Sequence, residues 1–489
     1  MKISSTALLL FALPAIWIQP AAAQSQDGQK QDIQQLKDKL QQLDQMMSEV
    51  KGEIRALEDA QGKPVALAVG QNPGEGKKTA APQEPLIAVP SEAIISQPQA
   101  GTVPLEGEIT ERQNSVTFYG FAMLDSGYDF GQVDPNWYDV VRPTKLPSFH
   151  NEFAPSGNVY AGVRQTRFGV KSSTPTPYGD LNTIFEFELF GTGVDAGQTT
   201  FRLRHAYGEL GQFGAGQTWS PFMDIGVFPN TLEYWGPNGM VFFRNVQIRW
   251  MPIRRKTGSV TLALERPGAS GDQGIYADRI ELSNIRPRFN FPDLSGNARI
   301  DRNWGYVQMA GIVRKIGWVD TSGNPINLGG SVVGWGVNLT SNLNLSKKNV
   351  AKLAFVYGSG IENYMNDAPV DVGIQNNPPN SRVPIKAVTL PVLGVVTFLD
   401  HTWNEHFTSS VGYSLVDIQN SNAQKVSDFH QGDYAVGNLL YHPIPRVTMG
   451  GEFQFGRRVN FNDGFSANDY RMQFSFKFDW DKSFKSPTL

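Results

Sequence analysis

Arg202 and Arg204 lie two residues apart in FRLRHAYGELGQFGAGQTW, the stretch from Phe201 to Trp219. On an extended strand such a pair shares one face, about 7 Å apart along the chain. Guanidinium groups stay charged and offer forked donors that match carboxylates, so two on one wet face could engage a dicarboxylate or steer anions. Alternation puts other basic residues in the same position. If Phe168 and Val170 take an apolar face, Arg167, Gly169 and Lys171 take the opposite one. Val246, Ile248 and Trp250 likewise leave Gln247 and Arg249 on the polar side, and Arg299 and Arg314 qualify on later segments. The same parity places His205 with Phe201, Leu203 and Tyr207, on the face away from the arginines. The chemistry suggested is a field across a narrow aqueous passage.

Reaction chemistry is not suggested. None of the six histidines stands beside a nucleophile motif such as G-x-S-x-G, and there is no cysteine and no metal-ligand cluster. No catalytic residue, metal or cofactor is expected. A charge of −3 argues against a general nucleic-acid binder.

Ser220 to Phe243 is a second concentration of chemistry, carrying Phe222, Phe228, Tyr234, Trp235, Phe242 and Phe243 with Asp224 and Glu233. A surface loop this apolar is costly in water, so it should pack inside whatever encloses it. Its acids would then face the arginines and set a transverse field. An aromatic plug, or a lid against a neighbouring subunit, is the alternative.

The elements that position these residues are extended. From Ser115 onward sixteen segments alternate apolar and polar residues, near 116–126, 159–173, 181–190, 200–210, 212–219, 244–251, 257–266, 295–302, 304–316, 331–345, 350–360, 387–402, 406–418, 432–441, 446–458 and 469–479. Short connections, as at Gly211, Asn303 and Ser346–Asn349, alternate with long ones, as at 127–158, 220–243, 267–294 and 361–386. A soluble sandwich has no reason to alternate so regularly, whereas a transmembrane barrel has short turns on one side and long loops on the other. A mean hydropathy of −0.31 is compatible with this, because only every second residue need meet lipid. About sixteen strands leave an aqueous channel. Phe118, Phe121, Tyr207, Trp250, Trp304, Trp318, Tyr441, Phe478 and Trp480 fall near strand ends, as interfacial girdles do. Tyr470 to Phe478 reads as the closing strand, with Asp479 to Leu489 trailing past it.

Three segments precede the barrel. Residues 1–23 read as a secretory signal, with Lys2, an apolar core from Leu8 to Ile18 and Ala21-Ala22-Ala23 before the cut. Within 24–59, Ile33, Leu40, Met47 and Ile54 at a and Leu36, Leu43, Val50 and Leu57 at d give four unbroken heptads, a periplasmic coiled coil whose strand number the rules leave open. Residues 60–112 hold seven prolines and form an extended linker. The barrel takes 113–489. The expected class is therefore all-β, a 16-stranded antiparallel transmembrane β-barrel preceded by a short coiled-coil helix and a Pro-rich linker.

Together the heptad prefix, Phe118-Tyr119-Gly120, Gln165 to Lys171, Arg202 to Tyr207 and Ala215 to Ser220 make the chain resemble the DcaP-type trimeric porins of Gram-negative outer membranes. The resemblance implies a homotrimer in outer-membrane lipid, a third loop folded into each lumen, and diffusion of small, mainly anionic, carboxylate-type solutes. In such trimers the first five strands form the subunit contact, which would cover His205 and Arg164 on the outer wall. The coiled coil would offer a contact to peptidoglycan or another periplasmic partner. Two other readings compete: a tether or adhesin using the barrel as anchor, and an outer-membrane hydrolase.

Overall fold

The computed structural model describes residues 113–323, 325–378 and 382–487. The signal, coiled coil and linker expected at 1–112 lie outside the described residues. The described chain is a closed antiparallel β-barrel. Its strands are β1 (Gln113–Asp129), β2 (Asn158–Gly162 and Arg167–Thr176), β3 (Gly179–Phe190), β4 (Thr199–Leu210), β5 (Phe213–Trp219), β6 (Arg244–Arg255), β7 (Gly258–Glu265) and β8 (Asp293–Arg302). They continue as β9 (Gly305–Asp320), β10 (Gly330–Ser346), β11 (Asn349–Ser359), β12 (Pro391–Thr402), β13 (Phe407–Ile418), β14 (Phe429–Tyr441), β15 (Val447–Asn460) and β16 (Ser466–Pro487). Of eighteen hydrogen-bonded segments in the sheet, two belong to β2 and the short Ile285–Pro287 only borders the rim of β9, which leaves sixteen that span.

Alternation builds the wall. In β6, Asn245, Gln247, Arg249 and Met251 are buried while Val246, Ile248 and Trp250 are exposed on the outside. In β16, Arg471, Gln473, Ser475 and Lys477 point in and Tyr470, Met472, Phe474, Phe476 and Phe478 point out. Lipid takes the second set, since a charge on that face at the midplane costs roughly 2–4 kcal/mol. The turn at Gly211 has φ +59°, a conformation that suits glycine and lets β4 and β5 meet across two residues.

Several expectations need correcting. Residues past Phe478 do not trail: Asp479 to Pro487 continue β16 and pair with Phe121 down to Gln113, closing the barrel. That pairing satisfies a backbone edge on β1 which would otherwise stand open. The strand expected at 387–402 begins at Pro391, because Ile385–Thr389 pairs with Val372–Asn376 in a hairpin of the preceding loop. Phe118, Trp250, Trp304, Tyr441, Phe478 and Trp480 are exposed as a girdle requires. Phe121 and Tyr207 instead point inward, and Trp318 is tied to Leu328 O through its indole N–H at 2.7 Å.

His205 and Tyr207 are misplaced by strict alternation because β4 carries a bulge. Glu186 of β3 pairs with His205 and Phe187 pairs with Leu203, so Arg204 is an extra residue. A bulge shifts the phase of every side chain beyond it. Arg202 and Arg204 face in before it, and His205, Tyr207 and Glu209 face in after it. His205 is buried, with Nδ1 3.0 Å from Thr218 Oγ1, and makes no outer-wall contact. Arg164 lies in the break between the two segments of β2. That break turns it inward, where it is fully buried and pairs with Asp139 at 2.5 Å.

Candidate functional site

The lumen is shaped by loops that fold into it. Residues 220–243 lie against the inner face of β9 to β13, where Phe222, Met223, Val227 and Phe228 join Ile312, Val356, Val392 and Val396 in one apolar cluster. β12 is apolar on both faces, unlike β6 or β16, while Asn338 and Thr340 of β10 and Ser414 of β13 hydrogen-bond the loop. Glycine permits the closest approach: a Cβ on Gly239 would stand 2.0 Å from Leu415 O, and Gly239 N donates to Ser414 Oγ at 2.9 Å.

Both loop acids pin the loop. Asp224 accepts from Gly226 N at 2.9 Å, Tyr306 OH at 2.8 Å and Thr340 Oγ1 at 2.6 Å. Glu233 accepts from Val141 N, Trp235 N, Gly236 N and Tyr434 OH. Both are buried, and their hydrogen bonds tie the loop to itself and to the wall, while Glu233 also lines the cavity between the loop and the wall. Tyr234 stacks on Phe190 with centroids 4.0 Å apart, and its hydroxyl donates to Glu188. Trp235 donates from Nε1 to Asn366 O at 2.9 Å.

Residues 130–157, between β1 and β2, also turn inward, which the sequence reading did not anticipate. Trp137, Val140, Val141 and Leu146 are buried. Arg142 lies between two indoles, 4.1 Å from Trp137 and 4.0 Å from Trp235, and its Nη2 is 2.8 Å from Asp367. Three long loops therefore meet at one guanidinium. The sequence signal was there, in the apolar run Trp137 to Val141 within a nominal loop.

Between the loop at 220–243 and the wall formed by β1 to β4 and β16 remains a cavity of about 200 Å³. Tyr119, Phe121, Arg167, Glu186, Arg204 and Lys477 line it from the wall, and Phe228, Glu233 and Tyr234 from the loop. At its side stands a charge cluster. Arg204 bonds Glu186 at 2.6 Å and Glu188 at 2.5 Å. Arg167 lies 3.7 and 3.4 Å from the same two carboxylates, and Arg202 and Arg244 each lie 3.6 Å from Glu188. Four arginines against two glutamates leave a net charge of 4 − 2 = +2. Arg167 Nε, Arg204 Nη2 and Arg244 Nη1 are buried without a hydrogen-bond partner. Arg244 opens β6 and was not among the expected residues; its pairing with a strand three places away, at Glu188, has no local signature.

The other expected residues are scattered. Lys171 is exposed, 5.6 Å above the Tyr119 ring. Arg249 is buried and bonds Trp219 O at 2.6 Å and Gln247 Oε1. Arg299 pairs with Asp301 at 2.7 Å and lies over the Tyr306 ring at 3.5 Å. Arg314 is fully buried between Asp293 and Asp371, each at 2.9 Å. Sequence parity thus brings Arg167, Arg202 and Arg204 together and leaves Lys171, Arg249, Arg299 and Arg314 outside their cluster. Among the described residues no group of His, Asp and Glu is placed to hold a metal ion.

The sequence profile of the DcaP outer membrane protein family matches residues 92–472. Among solved structures, the outer membrane channel DcaP of Acinetobacter baumannii matches with a TM-score of 0.62 at 18% identity, over 77% of this chain and 100% of that one. The anion-selective porin of Comamonas acidovorans matches with a TM-score of 0.49 at 10% identity, over 75% and 100%. No curated protein sequence matches the chain.

Proposed function

The chain belongs to the DcaP outer membrane protein family and is built as an outer-membrane porin, and from that premise we propose that it lets small, mainly anionic, carboxylate-type solutes diffuse passively through its lumen. The observation that carries this reading is the net positive cluster of Arg167, Arg202, Arg204 and Arg244 beside the central cavity, with unsatisfied guanidinium donors. Low-dielectric walls focus the field of such a cluster and raise the local concentration of anions. Buried donors without partners favour a ligand that brings oxygens. The loop at 220–243 narrows the passage by occupying the side of β9 to β13. Its aromatic residues supply stacking surface, and its two acids hold it in place.

Arg202, the most exposed of the four, is the solute-facing member, and Arg204 positions the rest. Lys171, Arg249 and Arg299 extend the positive path along the lumen. The protein works as a homotrimer, with its long loops outside the cell and its N-terminal segments in the periplasm. There the heptad segment self-associates, set off from the barrel by the linker.

Planar-bilayer recording tests the reading. A pore conducts, and in a salt gradient its reversal potential lies on the anion-selective side. A tether or adhesin anchored by a sealed barrel carries no such current.

A further inference from the structure

The outer wall from β7 to β10 changes character towards the long loops. Strand register puts Leu264, Leu294, Val313 and Trp335 in one row, each facing out from its own strand. Trp335 also meets the ring of Tyr357 on β11 with centroids 5.9 Å apart, as aromatics do at the edge of the lipid band. One step nearer the loops the same face turns basic. Arg266 follows Leu262 and Leu264 in the outward series of β7, and Lys315 follows Val313 on β9, with Val333 beside it.

The next step is basic too. The segment Ile285–Pro287 borders β9, with Pro287 opposite Trp318 and Arg286 opposite Val319. Ile285, Pro287 and Phe289 turn to the inner side, where they line a cavity with Ile316 and Trp318. Alternation therefore turns Arg286 and Arg288 outward, about 7 Å apart along the chain. Arg288 N bonds Gly317 O at 2.8 Å, which sets Arg288 beside the next outward position above Lys315. Arg286 Nη1 donates to Ser283 O at 2.6 Å and Ile285 O at 3.0 Å, which fixes its guanidinium. Phe291 is exposed on the same face, its ring 4.9 Å from Lys315 Nζ.

Arg266, Arg286, Arg288 and Lys315 form no ion pair with a carboxylate among the described residues. The acids close to them in sequence are engaged elsewhere. Asp293 pairs with Arg314 on the inner face, Asp320 accepts from Ser322 N and Leu328 N, and Glu281 holds Arg279. Asp278 is exposed in the turn that carries Arg279. Long basic side chains at the lipid edge extend to the headgroups, where anionic lipid attracts them. Paired guanidinium groups match phosphate oxygens with forked donors. Four cations gathered on one face suit a headgroup that carries more than one phosphate.

We propose that this face binds a multiply phosphorylated glycolipid of the outer leaflet. Its phosphates meet Arg266, Arg286, Arg288 and Lys315, and its acyl chains lie along Leu264, Leu294, Val313 and Trp335. The face lies outside the five strands expected at the subunit contact. The proposal rests on the orientation given above, long loops outside the cell, and not on what the lumen conducts.

The full chain, folded in detergent micelles, is titrated with diphosphorylated lipid A, and bound lipid per chain is counted by native mass spectrometry. Neither current nor orientation enters this measurement, so its failure leaves the pore reading standing. One tight equivalent per chain is expected. Replacing Arg266, Arg286 and Arg288 together by Gln should weaken binding about a hundredfold, near fivefold for each cation lost. Arg255→Gln, at the exposed short-turn end of β6, should leave binding unchanged. Phosphatidylglycerol should bind at least about tenfold more weakly, and an excess of inorganic phosphate should not displace the glycolipid. The proposal is overturned if the triple variant binds as the parent does, or if Arg255→Gln weakens binding as much. Equal affinity for phosphatidylglycerol overturns it in favour of a general anionic-lipid surface, and displacement by inorganic phosphate in favour of a free-anion site.

Discussion

Arg204 places Nε 2.6 Å from Glu186 Oε1, and the side chains of both residues are 1% exposed. Its Nη1 meets Glu188 as closely, so Arg204 makes the shortest contact to both carboxylates, with Arg167, Arg202 and Arg244 farther off at 3.4–3.7 Å. Breaking a fully buried pair costs up to about 3–5 kcal/mol, and here Arg167, Arg202 and Arg244 remain to offset part of that. Arg204→Gln should therefore lower the thermal stability of the folded barrel by an amount below that limit but above the loss from Arg202→Gln. Arg202 is 29% exposed and only 3.6 Å from Glu188. Arg202→Gln should cost under about 1 kcal/mol and move the reversal potential towards cation preference. Thermal unfolding and salt-gradient recordings on the two single variants separate the roles. Equal losses of stability would show that both arginines only hold the wall.

The period-two pattern made the barrel legible to within a few residues at most strands, because lipid on one side and side chains on the other enforce it over the whole length. It failed at His205, Tyr207 and Arg164, where a bulge and a strand break shift the phase, and nothing in RLRHAY announces a bulge. Phe121 was misread for another reason: an aromatic near a strand end reads the same whether it meets lipid or a folded-in loop. The apolar inner face of β12 had a signal, the nearly continuous Val392 to Leu399, which is what a strand covered on both sides looks like. The site was half legible. Parity placed Arg167, Arg202 and Arg204 on one face, but Arg244 reaches them only through the closed geometry of the wall.

Gly239 offers a way to displace the inward loop with one substitution. A valine there would bring Cβ to 2.0 Å from the backbone of Leu415, which cannot yield as a flexible side chain can. Gly239→Val should lift residues 236–243 from β13 while Asp224 still anchors the first half of the loop. Single-channel conductance should rise and solute discrimination should fall. A folded variant with unchanged conductance would place the loop outside the permeation path.

Asp428, between β13 and β14, is pushed up to about 6 by partial burial and by the charge of Asp272. A carboxyl whose folded pKa lies above its unfolded value of about 4 binds its proton more tightly in the folded state. The loop contact thus gains stability as pH falls through 6, reaches its full gain below about 4, and loses it as pH rises. Hydrogen exchange over 420–428, corrected for intrinsic rates, should be slower at pH 5 than at pH 7.5. Asp428→Asn should remove the difference. Protection independent of pH in the unsubstituted protein would rule out Asp428 as its source.

Arg142 supports a prediction about the long-loop end as a unit. Its guanidinium faces the indoles of Trp137 and Trp235 and pairs with Asp367, whose side chain is fully buried and also accepts from Thr144 N at 2.9 Å and Thr144 Oγ1 at 2.5 Å. Each cation–π contact is worth about 0.5–2 kcal/mol, more as water is excluded. Arg142→Ala removes both contacts and leaves Asp367 without its cation. The loops at 130–157, 220–243 and 360–390 should then open independently, seen as faster proteolysis within 130–157 and as added flicker in single-channel records. Arg142→Lys keeps the charge without the planar stack and should fall between the two. The competing anchor is Val141 and Leu146 packed beside Gly456, together with Val141 N bonded to Glu233 at 3.1 Å. If Arg142→Ala leaves proteolysis and flicker unaltered, that packing holds the loop by itself and Arg142 does not join the three.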